Sequence, residues 1–151
     1  MDAKVHAATW NVGYGAELSG GRWNPRGFAA VYTSVDPATA VLEVAVHKGF
    51  EALDMLPHVI SCARVRDPLD VHVLDLSSVP NANWLRPAIP GHGQQKFGAQ
   101  LMEQYPFVAI PSVVLPLAWN IIFSPTTAAG KYETVSQTDF SLDTRLNPAR
   151  V

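Results

Sequence analysis

The sequence predicts an α+β fold: a compact single domain with short, mostly antiparallel strands and few helices. Three observations carry that expectation. The apolar runs are short, β-branched or aromatic, and bounded by Pro, Gly, Asn and Asp. Only one stretch, between Asp36 and Gly49, combines helical spacing with both a start and a stop signal. The 151 residues suffice for one sizeable core and are short for two, so residues 1–151 read as one domain.

Taken in order, the glycines at 13, 15, 20, 21 and 27 make residues 11–27 turn-prone. Phe28 to Thr33 (FAAVYT) reads as a buried strand. Asp36-Pro37 opens a helix, with Ser34 or Asp36 near the cap and Pro37 in the first turn. Ala38, Val41, Leu42 and Ala45 follow its apolar spacing, and Gly49 stops it. HVISCARV and DVHVLDL, between Val59 and Leu76, read as two strands joined by a turn around Asp67-Pro68-Leu69-Asp70. Residues 77–93 read as a loop with a short helix near Trp84. Gln94 to Glu103 reads as a helix weakened by Gly98. Phe107 to Val114 and Asn120 to Phe123 read as strands separated by Pro116, and a last strand is expected near Tyr132 to Val135.

Composition narrows the function classes. Formal net charge is −2 with 16% charged residues, so phosphate-driven nucleic-acid binding has little electrostatic footing. Arg22 and Arg26 form a local basic spot in one loop. The lone cysteine, Cys62, excludes an intrachain disulfide and a CxxC zinc site, which fits a reducing compartment. The start MDAKVHAATW has no signal-peptide core, and no run reaches membrane-spanning length. A soluble, cytoplasmic protein is expected.

Chemistry rests on a few side chains. Glu43 is the only formally charged residue between Asp36 and His47. On so apolar a helix it either reaches a solvent edge or meets a partner inside, because an unpaired buried carboxylate is strongly unfavourable. Arg22, flanked by Gly21 and Trp23, suits bidentate phosphate or carboxylate recognition. It is equally suited to tying its loop to a carboxylate. Trp23 and Tyr32 offer faces for a flat ring or bulk for the core. Ser112, after Ile110-Pro111, lies in a strand-like context outside any GxSxG elbow. Asn120 is a lone amide in LAWNIIF that satisfies backbone or ligand. Glu43 and His47 stand one helical turn apart without a third metal ligand. Cys62 in VISCARV reads as buried and unreactive. GYGAELSGG is neither a Walker A nor a dinucleotide fingerprint.

In order, GGRWN with Arg22, a strand closing in VYT with Tyr32, a helix ATAVLEVAVH with Glu43, a proline-serine strand with Ser112, and NIIFSP from Asn120 to Pro125 resemble the RES family. FSLDTRL, Phe140 to Leu146, resembles that family's C-terminal strand. The family's members are bacterial toxins, usually paired with an Xre-type helix-turn-helix antitoxin, that consume NAD on an ADP-ribosyltransferase-like fold. The resemblance implies NAD as substrate and no metal. It implies Arg22 at the pyrophosphate or nicotinamide-side ribose, Tyr32 stacked on nicotinamide, and Ser112 near the nicotinamide ribose or amide. Asn120 would join the cofactor contacts, and Glu43 would hold the ribose hydroxyls and stabilise the oxocarbenium-like charge. It implies partnership with the antitoxin, no nucleic acid or membrane, and leaves room for a homodimer inside the complex. Transfer to water, phosphate or protein stays open, as does a non-catalytic nucleotide-binding module. Val41, two positions before Glu43, replaces the second acidic residue common in protein-modifying transferases and tilts the reading towards small acceptors. The family pattern also carries an aromatic-arginine strand ahead of GGRW. MDAKV lacks it, so either the start lies upstream or this member works without that contact. Ala118-Trp119 and Thr126-Thr127 are two further departures.

Overall fold

In the computed structural model, which describes residues 1–86 and 90–146, seven strands form two sheets. The first sheet runs β1 (Asp2–Ala3), β3 (His58–Val65), β7 (Tyr132–Phe140). The second runs β2 (Val31–Ser34), β6 (Trp119–Phe123), β5 (Phe107–Pro111), β4 (Val71–Val73). Every pairing is antiparallel except β4 with β5. The helices are α1 (Tyr14–Ser19), α2 (Pro37–Lys48), α3 (Phe50–Met55) and α4 (His92–Gln104). The α+β expectation holds, with α1 and α3 added to the helices read from the sequence.

Register sorts the second sheet into two faces. Tyr32 lies opposite Ile122 and Ser34 opposite Asn120, while Ile122 also faces Val108 and Asn120 faces Ile110. Directly opposed residues share a face, so Tyr32, Ser34, Val108, Ile110, Asn120 and Ile122 point one way. Val31, Phe107, Ile121 and Phe123 point the other way. The first face builds a core of Val108, Ile110 and Ile122 with Trp23, Trp84 and Met102. The second face packs Val31, Phe107 and Phe123 with Ala128 and Tyr132. Ser112, two residues past Ile110, ends up at the rim of the first face.

Helix α2 begins and ends where its residues dictate. Asp36 is extended (φ −132°, ψ 155°) and its side chain accepts from Thr39 N–H, which satisfies one of the orphan donors of the first turn. Thr39 Oγ1 donates back to Asp36 Oδ2 at 2.6 Å. Gly49 closes the helix at φ 83°, a conformation that glycine adopts without strain. Gly98 sits inside α4 because a Cβ there would run into the carbonyl and Cβ of Trp23. The helix therefore lies directly on the loop that carries Arg22.

Several expectations are corrected. The segments HVISCARV and DVHVLDL are joined by a turn at Pro68–Asp70 as expected but enter different sheets: β3 joins β7, and β4 lies beside β5. The corner between them is held by Arg66 N–H donating to Lys131 O at 2.9 Å and by Lys131 Nζ on Asp70 Oδ1 at 2.8 Å. Only Val71–Val73 is strand, since Asp75 accepts from Ser77 N–H and starts a 3-10 turn over Leu76–Ser78. Cys62 is exposed, not buried, beside a register shift in β3 at Cys62/Ala63. The strand from Phe28 starts three residues late because Asn24 Nδ2 takes the Phe28 carbonyl at 2.9 Å. Strand β5 stops at Pro111 because the Ser112 hydroxyl accepts Val114 and Leu115 N–H. Phe140 ends β7, and beyond it Thr144–Leu146 is a 3-10 turn, not strand. Trp84 lies in a turn, not a helix; residues 87–89 of that expected loop and 147–151 of the single domain lie outside the described residues.

Candidate active site

Glu43 is half-buried on α2, and its Oε1 collects two donors: Asn120 Nδ2 at 2.6 Å and Ser112 Oγ at 2.8 Å. The interior-partner alternative for Glu43 is therefore the one realised. Both donors stand on the first face of the second sheet, one from β6 and one just past β5. With both bonds on Oε1, Oε2 is the atom that keeps acceptor capacity. Ser112 is itself buried, and its oxygen accepts Val114 N–H at 3.1 Å and Leu115 N–H at 3.0 Å. Its hydroxyl proton is thereby directed to Glu43. That arrangement makes it a donor to the carboxylate, with its oxygen engaged by two backbone N–H groups. Asn120 Oδ1 accepts from Ser34 Oγ at 2.7 Å.

Arg22, in the glycine-rich loop, feels the same carboxylate electrostatically without an ion pair to it. Its Nη1 donates to Trp84 O at 2.7 Å and Arg86 O at 3.3 Å, so the loop is tied to carbonyls rather than to a carboxylate. Burial pushes the guanidinium below its ordinary value, while the charge of Glu43 acts in the opposite direction. Arg22 stays cationic at neutral pH, half-buried and within electrostatic reach of Glu43.

Tyr32 divides its roles between ring and hydroxyl. The residue is 39% exposed, which leaves a ring face open, but the hydroxyl is sunk against the loop. It donates to Asn24 Oδ1 at 2.7 Å and accepts Trp23 N–H at 3.0 Å. Burial of the phenol drives its pKa far up, only partly countered by the Trp23 hydrogen bond and the Arg22 charge. A Cβ on Gly21 would meet Tyr32 Oη and Asn24 Oδ1 at 2.5 and 2.6 Å, so this position requires glycine. Fully buried Asn24 sends Nδ2 to the carbonyls of Ala16, Pro25 and Phe28. Trp23, whose fate the sequence left open, is core.

A cleft of about 510 Å³ opens between the two sheets, lined by Trp10, Val31, Ile60, Phe107, Ile121 and Phe123 among others. It reaches the site at Tyr32, Ser34 and Ala40, the last of which lies about one helical turn before Glu43. The carboxylate itself is not in its lining. The chemistry of the residues, rather than the size of the void, marks the site. Sequence reasoning brought together Glu43, Ser112, Asn120, Arg22 and Tyr32, and missed Ser34 and Asn24 as site elements. Ser34's spacing of two from Tyr32 on one strand was the available signal. Among the described residues no group of three or more His, Cys, Asp or Glu is arranged to hold a metal. No helix of the described residues is long and apolar enough to cross a membrane.

This architecture recurs in a solved toxin. The toxin in the crystal structure of the M. tuberculosis MbcT–MbcA toxin–antitoxin complex superposes with a TM-score of 0.65 at 20% identity, covering 85% of this chain and 76% of that one. The likeness establishes the fold. The RES domain model matches residues 2–143, and the chain belongs to the RES domain family. Among curated relatives, Toxin Res of Photorhabdus laumondii is 32% identical over 152 residues, spanning 98% of this chain and 94% of the relative. The Prs ADP-ribosylating toxin of a Sphingobium species is 29% identical over 127 residues, 82% of this chain and 78% of the relative. Toxin Res of Pseudomonas putida is 25% identical over 146 residues, 91% and 97% of the two chains.

Proposed function

We propose that this protein is a bacterial toxin that cleaves the nicotinamide–ribose bond of NAD, with water or phosphate as acceptor. The observation that carries the reading is the Glu43 carboxylate held by Ser112 and Asn120 on Oε1 with the Arg22 cation nearby. Breaking the bond between C1′ and the nicotinamide nitrogen develops positive charge on the ribose, and a pre-placed carboxylate stabilises that charge. The bonding electrons go to a pyridinium nitrogen that is already cationic, so nicotinamide leaves neutral without a general acid. One carboxylate then suffices where ordinary glycosidases use two. Oε2 of Glu43 would take the ribose hydroxyls, Arg22 the pyrophosphate side, and the open ring face of Tyr32 the nicotinamide. Asn120 supports the carboxylate rather than the dinucleotide. Water or phosphate adds to C1′ and releases a proton, giving ADP-ribose or its 1-phosphate.

Cytoplasmic action against NAD, restrained by a helix-turn-helix antitoxin of Xre type, completes the reading; of this, the names of the Toxin Res relatives support the toxin role, and the toxin–antitoxin complex that contains the structural neighbour supports an antitoxin partner. Transfer to a protein side chain is the second reading, favoured by the name of the Sphingobium relative. Incubating the purified chain with NAD, with and without phosphate, and resolving products by chromatography tests both. Nicotinamide release is expected for the native chain and a loss of at least about a hundredfold for Glu43→Gln. Label retained on protein instead of free ADP-ribose would favour the second reading. No release by folded, antitoxin-free protein would leave a nucleotide-binding module. In cells, Glu43→Ala is expected to relieve growth arrest, and a fully toxic Glu43→Ala would remove Glu43 from the mechanism.

A further inference from the structure

We infer that Ser34 is a positioning residue for the Glu43 carboxylate, acting through Asn120; the inference builds on the NAD-cleavage reading. A side-chain amide can present either its oxygen or its NH₂ to a neighbour, and only the hydrogen-bond network decides between them. Here one side of Asn120 meets a carboxylate oxygen, Glu43 Oε1, at 2.6 Å. On the other side it meets the Ser34 hydroxyl at 2.7 Å. With NH₂ towards Glu43, the hydroxyl donates to Oδ1 and every contact joins a donor to an acceptor. With the amide turned over, two acceptor oxygens would face each other at the carboxylate. The carboxylate thus decides which way the amide faces, and the Ser34 proton, bound to Oδ1, holds the amide at the place from which Nδ2 donates to Glu43.

The chain places Ser34 for this with little freedom. It is opposite Asn120 in the β2–β6 register. Thr33 Oγ1 donating to Ile121 O at 2.8 Å and Val35 N–H donating to Trp119 O at 3.0 Å fix the strand on either side. Two residues upstream, Tyr32 braces the Arg22 loop; two downstream, Asp36 caps the helix that carries Glu43. The segment from Tyr32 to Asp36 thus sets the arginine, the amide and the carboxylate relative to one another. Because Ser34 acts through Asn120 on Oε1, while Oε2 takes the ribose hydroxyls, its loss should fall mainly on the chemical step rather than on substrate affinity.

The test compares Ser34→Ala and Ser34→Thr in the native and Asn120→Ala backgrounds, following nicotinamide release across an NAD series. Ser34→Ala is expected to lower kcat about tenfold with KM unchanged within about twofold, and Ser34→Thr, which keeps the hydroxyl, to restore it. In the Asn120→Ala background Ser34→Ala should add no further loss, since the two act as one unit. Native-like kcat in Ser34→Ala, or losses that multiply, would overturn the assignment. A second measurement needs no turnover: the side-chain amide protons of Asn120, assigned by their loss in Asn120→Ala, read out by ¹⁵N NMR. One strongly downfield, exchange-protected proton is expected in the native chain and in Ser34→Thr, and its collapse to ordinary values in Ser34→Ala. An unchanged signal in Ser34→Ala would overturn the role even if the native chain released no nicotinamide, an outcome that instead counts against NAD cleavage. Should Ser34→Ala fail to fold, Ser34→Cys supplies the weak-donor variant for both measurements.

Discussion

Tyr32 shows how a residue expected for one role performs another. Its hydroxyl bridges Asn24 Oδ1 and Trp23 N–H, and through them holds the two residues that follow Arg22. Removing the oxygen leaves a buried acceptor and a buried N–H without partners, a loss of about 1–3 kcal/mol. Tyr32→Phe keeps the open ring face but frees the loop. It is expected to lower stability by that amount, read by urea denaturation, and to raise KM for NAD through displacement of Arg22. A Tyr32→Phe variant with native stability and native KM would show that the bridge is incidental. The sequence exposed Glu43 by its isolation and Ser112, Asn120 and Arg22 by their order along the chain. It did not expose Ser34 or Asn24, because a serine ending a strand and an asparagine in a glycine loop look like ordinary turn chemistry until pairing puts them opposite their partners.

At the level of elements, α2 carries its own instructions, and its acidic cap yields a pH prediction. The Thr39 side-chain and backbone hydrogen bonds hold the Asp36 carboxyl below its usual value. The same holds for Asp75 through Ser77 and for Asp143 through Arg145. A carboxyl whose folded pKa lies below its unfolded one stabilises the fold above the unfolded value, and the contribution disappears as pH falls through the folded one. Tm should therefore stay level from neutrality down to about pH 4, the ordinary aspartate range, and drop below it. Asp36→Asn keeps an acceptable cap and should show a shallower acid limb; identical limbs would discount the cap as a contributor. Such local signals made α2 and α4 legible. Which sheet β3 and β4 enter was not legible, because that depends on β7 and β5, far along the chain. Nor was the exposure of Cys62, since an apolar run does not reveal which end of a strand its sheet leaves uncovered.

Across the whole molecule, the second sheet separates two cores, and only one of them supports the site. Ile110 and Ile122 lie on the face that carries Ser34 and Asn120, packed with Trp23 behind the Arg22 loop. Phe123, nearly as buried at 3% exposed, points to the opposite face among Val31, Phe107 and Ala128. Truncating either leaves a cavity with a penalty of about 2–5 kcal/mol, so stability alone will not distinguish the faces. Activity should. Ile110→Ala removes the side chain two residues before Ser112 and opposite Asn120, so the hydrogen bonds to Glu43 Oε1 lose the packing that sets their geometry. A misplacement on the ångström scale at a reacting centre is enough to slow it about a hundredfold. Phe123→Leu leaves a smaller void on the far face, where the peptide planes of β6 still keep Asn120 in register. The expected outcome is a pair of variants both lowered in Tm, of which Ile110→Ala releases nicotinamide far more slowly per folded molecule while Phe123→Leu works at close to the native rate. Measured below both melting transitions, equal activities would show that the sheet transmits disturbance from either face, and that the site depends on the fold as a whole rather than on one of its cores.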